Sequence, residues 1–219
     1  MDDFRELVSQ VLTILVKSCP KLLANCYWAG SSAISIEELS HRQSYDLDFH
    51  TCDALIDVRP FLAEIKRAFP KVTEIVAAPA GLSAGFRVSV QLDQGQEMLI
   101  EVLSNFDDVS KEDLSEAKIV KGVKRVSLNK YLRDKLQCLC ERTEARDLAD
   151  IFAVLQKFPK LVNFAHQCLL QIDLVLLSQR LLDWNDEALK SDLLKYNDIK
   201  FDEVKAMRDK MLAWIKEIS

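Results

Sequence analysis

Two aspartates at alternate positions, Asp46 and Asp48, follow a Gly30-Ser31 pair after an interval of fourteen residues. On a strand, positions i and i+2 face one side roughly 6.5–7 Å apart, so both carboxylates point at the same place. Hard oxygen ligands of this type suit Mg²⁺ or Mn²⁺ rather than zinc. Metal ions held so can activate an attacking oxygen and neutralise a leaving pyrophosphate. Gly30, Ser31 and Ser32 are the candidate phosphate contacts. A strand–Gly-Ser–helix layout leaves backbone N–H groups at a helix start, where an anion binds. Glycine lets the backbone approach closely, and serine adds a hydroxyl. Each feature alone is ordinary, since Gly-Ser pairs are common turns and Asp-x-Asp is common on exposed strand faces. Their order, in a strand–turn–helix–strand context, points to nucleotide chemistry. Arg42, just before the aspartates, suits a phosphate contact or a carboxylate pair, whereas His41 reads equally well as a loop residue.

Glu101 lies inside the apolar run Met98–Leu103. A carboxylate there is costly to bury unless paired or metal-bound, so it reads either as a third metal ligand or as an edge-strand residue facing water. A second charged group follows at Lys135, Arg142, Arg146, Asp147 and Asp150. Lys135 and Arg142, seven apart, share one helix face, and Asp147 and Asp150 share a face of the next helix. Arg146 joins the first pair only if the helix runs on through Thr143. A Lys and an Arg facing a carboxylate pair can hold a triphosphate and its developing charge. The alternative is a solvated helix with ordinary i,i+3 and i,i+4 pairs.

Several elements must position these groups. Phe4, Leu7, Val8, Val11, Leu12 and Leu15 recur at helical spacing over 3–18, and Cys19-Pro20 ends that helix. Residues 25–29 read as a buried strand, 33–39 as a helix and 44–50 as a strand of period two. Asp57 is placed to cap a helix over 58–69. Strands are expected at 71–77, 85–92 and 97–103, the last two joined at Gln94-Gly95, and one more within 118–126. From Ser127 onward no glycine appears, and helices are expected at 128–142, 145–157, 160–181, 185–195 and 201–217. The chain therefore reads as α+β: a mixed sheet with flanking helices over 1–126, then a C-terminal helical bundle over 127–219 packed against it, with any site in the cleft.

Composition sets the outer limits. The chain has 219 residues, 49% of them apolar, and only five glycines and five prolines, which excludes a disordered tail. Its net charge of −5 excludes a generally basic nucleic-acid coat. That total conceals a basic block, since residues 121–146 carry eight basic and three acidic residues between two acidic regions. Positive potential is expected to gather there. The N-terminus Met1-Asp2-Asp3-Phe4-Arg5-Glu6 has neither the positive start nor the apolar run of a signal peptide, and no segment is long enough to span a bilayer, so a cytoplasmic protein away from the membrane is expected. Six cysteines form no C-x-x-C pair and read as reduced, mostly buried thiols.

These motifs together resemble the AbiEii/AbiGii-type nucleotidyltransferases, which include the MenT toxins and belong to the DNA polymerase β-like superfamily. The matching stretches are Gly30-Ser31-Ser32-Ala33-Ile34, His41-Arg42-Gln43-Ser44-Tyr45-Asp46-Leu47-Asp48-Phe49, Lys135-Leu136-Gln137-Cys138-Leu139-Cys140-Glu141-Arg142 and Arg146-Asp147-Leu148-Ala149-Asp150-Ile151, in order across residues 30–151. The resemblance implies a nucleotidyltransferase-fold sheet and transfer of an NMP from an NTP. It implies that Gly30 and Ser31 bind the nucleotide phosphates and that Asp46 and Asp48 hold Mg²⁺. Lys135 would neutralise the triphosphate, with Asp147 as the last acidic member; which of Asp147 and Asp150 acts varies with alignment. Ser31 departs from the double glycine of many relatives but matches the Gly-Ser of the wider superfamily. Members are often toxins of bacterial toxin–antitoxin pairs, and some add nucleotides to the acceptor end of tRNA, so an RNA or tRNA acceptor and a cognate antitoxin are the implied partners. Two rivals stand beside this: the same fold acting on a small molecule or a protein hydroxyl, and a catalytically silent domain that binds a partner.

Overall fold

A computed structural model describes the chain except Met1, Gln43, Tyr45, Leu55, residues 79–84, Gln94, Asp107, Asn197, Ser219 and the side chain of Asp2. Parts of the expected 44–50 strand and of the Gln94-Gly95 turn thus lie outside the described residues. Two compact units are present, Met1–Ser127 and Leu128–Ser219.

The first unit is built on one mixed sheet. Its strands are β1 (Cys26–Ala29), β2 (Asp46–Ala54), β3 (Lys71–Val76), β4 (Gly85–Gln91), β5 (Glu97–Asn105), β6 (Leu114–Glu116) and β7 (Lys124–Val126), in the order β3-β4-β5-β2-β1-β7-β6. β2–β5 and β1–β7 are parallel, and the other neighbours antiparallel. The period-two pattern fixes which face is core. Leu47, Phe49, Val88, Ile100 and Val102 are fully buried. The alternate residues Asp46, Asp48, Arg87 and Glu101 are only partly covered. Helices α1 (Asp2–Ser18), α2 (Pro20–Asn25) and α4 (Arg59–Ala68) pack with one another and against strands of the sheet, α1 contributing Val8, Val11, Leu12 and Leu15 at 0% exposure. Between them in sequence comes α3 (Gly30–Ile34).

Local chemistry moved several boundaries. Pro20 ends α1 but also begins α2, because proline at a first helical position loses no intrahelical bond. The expected 33–39 helix starts at Gly30 and widens over Ser35–Leu39 into a π-type turn, closed where Ser40, at φ 57°, donates its N–H to the Ser35 carbonyl at 2.7 Å. The expected 118–126 strand shrinks to Lys124–Val126. The Glu37 carboxylate accepts the N–H groups of Lys118 and Ile119, which takes that segment out of ladder pairing. The strand Leu114–Glu116, not foreseen, pairs antiparallel with it.

The second unit is helical: α5 (Leu128–Glu141), α6 (Ala145–Lys157), α7 (Val162–Leu169), α8 (Leu174–Asp183), α9 (Asp186–Leu193) and α10 (Phe201–Ile218). The single helix expected over 160–181 is broken. Asp173 accepts the Leu176 N–H at 2.9 Å and starts α8 afresh, so an N-cap overrides a continuous apolar period. Trp214 and His166 meet edge-to-face with ring centroids 4.4 Å apart. Among the described residues, no single helix is long and apolar enough to cross a membrane.

Candidate active site

The first unit gathers its polar groups where β1 runs into α3. Ala29, the last residue of β1, pairs with Asp48 of β2, and the chain turns at Gly30 with φ +69°. A Cβ on residue 30 would stand 2.9 Å from Asp48 Cγ and 3.1 Å from Asp48 Cβ. Glycine is therefore required twice, by the left-handed backbone and by the carboxylate against it. Ser31 follows, buried at 7% exposure, and its Oγ accepts a hydrogen bond from Arg42 Nη2. The Ser35 hydroxyl in turn donates to the Arg42 carbonyl, which ties the loop before β2 to the end of α3. Ser32 points elsewhere. Its side chain is wholly buried and its Oγ accepts the Trp28 indole N–H at 3.0 Å. A phosphate contact at Ser32 would therefore be made through its backbone N–H.

Asp46 and Asp48 lie on the partly covered face, and Ser44 Oγ donates to Asp46 Oδ1 at 3.1 Å. Glu101 stands directly opposite Asp48 across the β2–β5 ladder. Because β5 lies between β4 and β2, Glu101 is not on an edge strand, and that reading of it is overturned. One further residue completes the row. Arg87 of β4 is directly opposite Glu101, and its Nη2 lies 3.6 Å from Asp46 Oδ2. Sequence reasoning passed over Arg87. Its only signal was its place as the one charged residue in an otherwise uncharged strand, two β-positions from nothing notable in the chain but next to two carboxylates in space.

The donor set fits a hard divalent ion. Among the described residues, no group of three or more His, Cys, Asp and Glu side chains converges as a ready-made cage. Mg²⁺ does not need one, since it commonly binds through one or two carboxylates and completes its shell with water and substrate phosphates. The bare backbone at Gly30 lets the Asp48 carboxylate lie directly against the turn.

The second unit holds a separate charged cluster. Asp147 and Asp150, three apart on α6, are both 0% exposed. Lys135 Nζ lies 2.7 Å from Asp147 Oδ1 and 2.8 Å from Asp150 Oδ2. Arg142 reaches Asp147 with two donors, Nε at 2.9 Å and Nη2 at 3.1 Å. Burial pushes the Asp147 carboxyl upward, but the Lys135 charge and the Arg142 hydrogen bond outweigh it and hold it below the usual carboxylate range. The shared face of Lys135 and Arg142 is thus realised. Arg146 is not brought to it, because α5 stops at Glu141 and Arg146 Nε bonds Glu144 instead.

Three of the eight basic residues in 121–146 pair with carboxylates from outside that block. Arg125, 4% exposed, pairs with Glu37 and Glu38 of the π-type turn, while Lys135 and Arg142 are spent on Asp147 and Asp150. The expectation of gathered positive potential is corrected at these three residues. Charge counts along a chain do not record which carboxylates fold back onto it.

No family model and no curated protein matches the sequence. Solved structures do match. JHP933 from Helicobacter pylori superposes with a TM-score of 0.56 at 18% identity, over 99% of this chain and 93% of that one. MenT4, a nucleotidyltransferase toxin from Mycobacterium tuberculosis, superposes with a TM-score of 0.52 at 14% identity, over 98% and 85%. The chain has the nucleotidyltransferase fold. Within that fold, the Gly30–Ser31 turn directly follows β1 and the Asp46/Asp48 pair lies on the adjoining strand β2, which is how Gly30 and Asp48, eighteen apart in sequence, come into contact.

Proposed function

We propose that the protein is a metal-dependent nucleotidyltransferase that moves an NMP from an NTP to an acceptor hydroxyl, with RNA, tRNA included, as acceptor, and that it acts as the toxin of a bacterial toxin–antitoxin pair. The observation that carries the transferase reading is the packing of Gly30 against Asp48, with Asp46 and Glu101 on the same sheet face. Asp46 and Asp48 would hold Mg²⁺ or Mn²⁺, which supplies charge for the α-phosphate and the departing pyrophosphate. The acceptor hydroxyl oxygen would form a bond to the α-phosphorus and release its proton to solvent, the bond from the α-phosphorus to the oxygen bridging the β-phosphate would break, and pyrophosphate would leave with that oxygen. Gly30 and Ser31 offer backbone and hydroxyl to the phosphates, and Arg42 holds the Ser31 hydroxyl in place. Glu101, opposite Asp48 across the ladder, would be a further carboxylate on that face of the sheet. Lys135 and Asp147 enter through the sequence resemblance alone, which would give Lys135 the triphosphate and Asp147 the last acidic position. The toxin reading is supported by the likeness to MenT4.

A second reading has a specific observation in its favour. With Arg125, Lys135 and Arg142 tied to carboxylates, the case for a polyanionic acceptor is weaker, and a small molecule or protein hydroxyl becomes the rival. One experiment addresses both. Pure protein is incubated with each α-labelled NTP, Mg²⁺ and total tRNA across a salt series. Label on tRNA that falls steeply with salt supports the RNA acceptor, because phosphate contacts release counterions. No transfer to any acceptor, with wild type matching Asp48→Ala, contradicts the proposal.

A further inference from the structure

Arg87 is the one guanidinium beside the carboxylate row that neither the motifs nor the proposed chemistry has used. It lies on β4 opposite Glu101, which is itself opposite Asp48, so the three stand in one line across the sheet. Its Nη2 is 3.6 Å from Asp46 Oδ2, and its side chain is 35% exposed. Its Nε–H is buried and has no hydrogen-bond partner among the described residues. A guanidinium does not lose its proton in proteins, so this charge is permanent.

We propose that Arg87 is a positioning residue that acts as the counter-charge of Asp46 when no metal is bound, so that a divalent ion must displace it to bind. The inference rests on the reading of Asp46 and Asp48 as metal ligands. Its logic is electrostatic. A part-exposed pair at this distance is worth little to stability. A dication on Asp46, however, brings two more positive charges beside the guanidinium, and that repulsion opposes binding of the free ion. An NTP brings the negative charge that relieves it. Arg87 therefore makes the site bind metal and nucleotide together in preference to metal alone, and its open Nε–H is a donor ready for an anionic oxygen.

The test is calorimetric titration of Mn²⁺ into nucleotide-free protein, comparing wild type, Arg87→Gln, Arg87→Lys and Asp46→Asn, with thermal melts to confirm folding and Arg87→Ala as the substitute if the glutamine variant does not fold. Arg87→Gln should bind Mn²⁺ about three- to tenfold more tightly than wild type, and Arg87→Lys, which keeps the charge, should stay within about twofold of it. Equal affinity in Arg87→Gln and wild type overturns the counter-charge. Weaker binding in Arg87→Gln also overturns it, by showing that Arg87 holds Asp46 in a ligating pose. If wild type and Arg87→Gln both fail to bind, and match Asp46→Asn, the metal-site reading falls and the inference with it.

Discussion

Gly30 and Asp48 are in contact so close that residue 30 has no room for a side chain: a Cβ there would overlap the carboxylate of Asp48. One residue supplies the turn into α3, and the other supplies a carboxylate from the neighbouring strand. The contact is formed because Ala29 and Asp48 are paired across β1 and β2.

Gly30→Ala should therefore cost far more activity than stability. The left-handed backbone at φ +69° penalises alanine by about 1–2 kcal/mol, while the displaced Asp48 removes a ligand from its place. Label transfer should fall by about 100-fold or more, since small displacements of reacting groups are costly. A thermal melt with a transfer assay on the same sample separates the two effects.

How much of this was legible in the sequence varied with the range of the interaction. Gly30, Asp46 and Asp48 announced themselves through residue type, order and the strand period, and the sheet put them together. The apolar stripe of α1 was equally plain. Arg87 and the edge or interior status of Glu101 were not, because both depend on strand order: β4 and β5 form a local hairpin, but β2 joins β5 only through long-range pairing. The same limit hid the partners of Arg125, whose carboxylates lie 87 and 88 residues away at Glu38 and Glu37. The break at 170–173 was hidden for a local reason, the capping by Asp173 inside a continuous apolar period.

Lys135→Met should destabilise the helical unit by about 3–5 kcal/mol, because it leaves Asp147 and Asp150 buried together without their shared cation. Adding Asp150→Asn to that variant should restore part of the loss. Urea unfolding followed by circular dichroism checks both. An unchanged midpoint in the single variant would show that the cluster does not carry this charge balance.

Stability should also depend on pH through Asp147. Its folded-state carboxyl is held below the ordinary aspartate value, burial opposing and Lys135 and Arg142 prevailing. A depressed carboxyl contributes stability that is fully present above the unfolded value, about 3.9, and is lost as pH falls through the folded one. Urea midpoints should hold from neutral pH down to about 4 and then drop. In Arg142→Gln the drop should start at the same pH but be smaller and end at higher pH, since one of the groups that depress Asp147 is gone.

The six cysteines are free thiols. Burial pushes Cys19 up to about 12 and raises Cys52, Cys138, Cys140 and Cys168 as well. Thiolate is the reactive form, so modification by a thiol-specific disulfide reagent at pH 8 should be at least about tenfold slower in the native protein than in urea. The half-buried Cys52 and Cys138 should react before the rest. Omitting reductant should leave the melting temperature unchanged.

The most direct test of the proposed chemistry is to measure pyrophosphate release and label incorporation together, in wild type and Asp48→Asn, with α-labelled NTP and Mg²⁺. The account predicts that the two products rise in equal amounts in wild type, and that both vanish in Asp48→Asn and on chelation of the metal. Equal transfer in Asp48→Asn and wild type, or transfer that survives chelation, would contradict it.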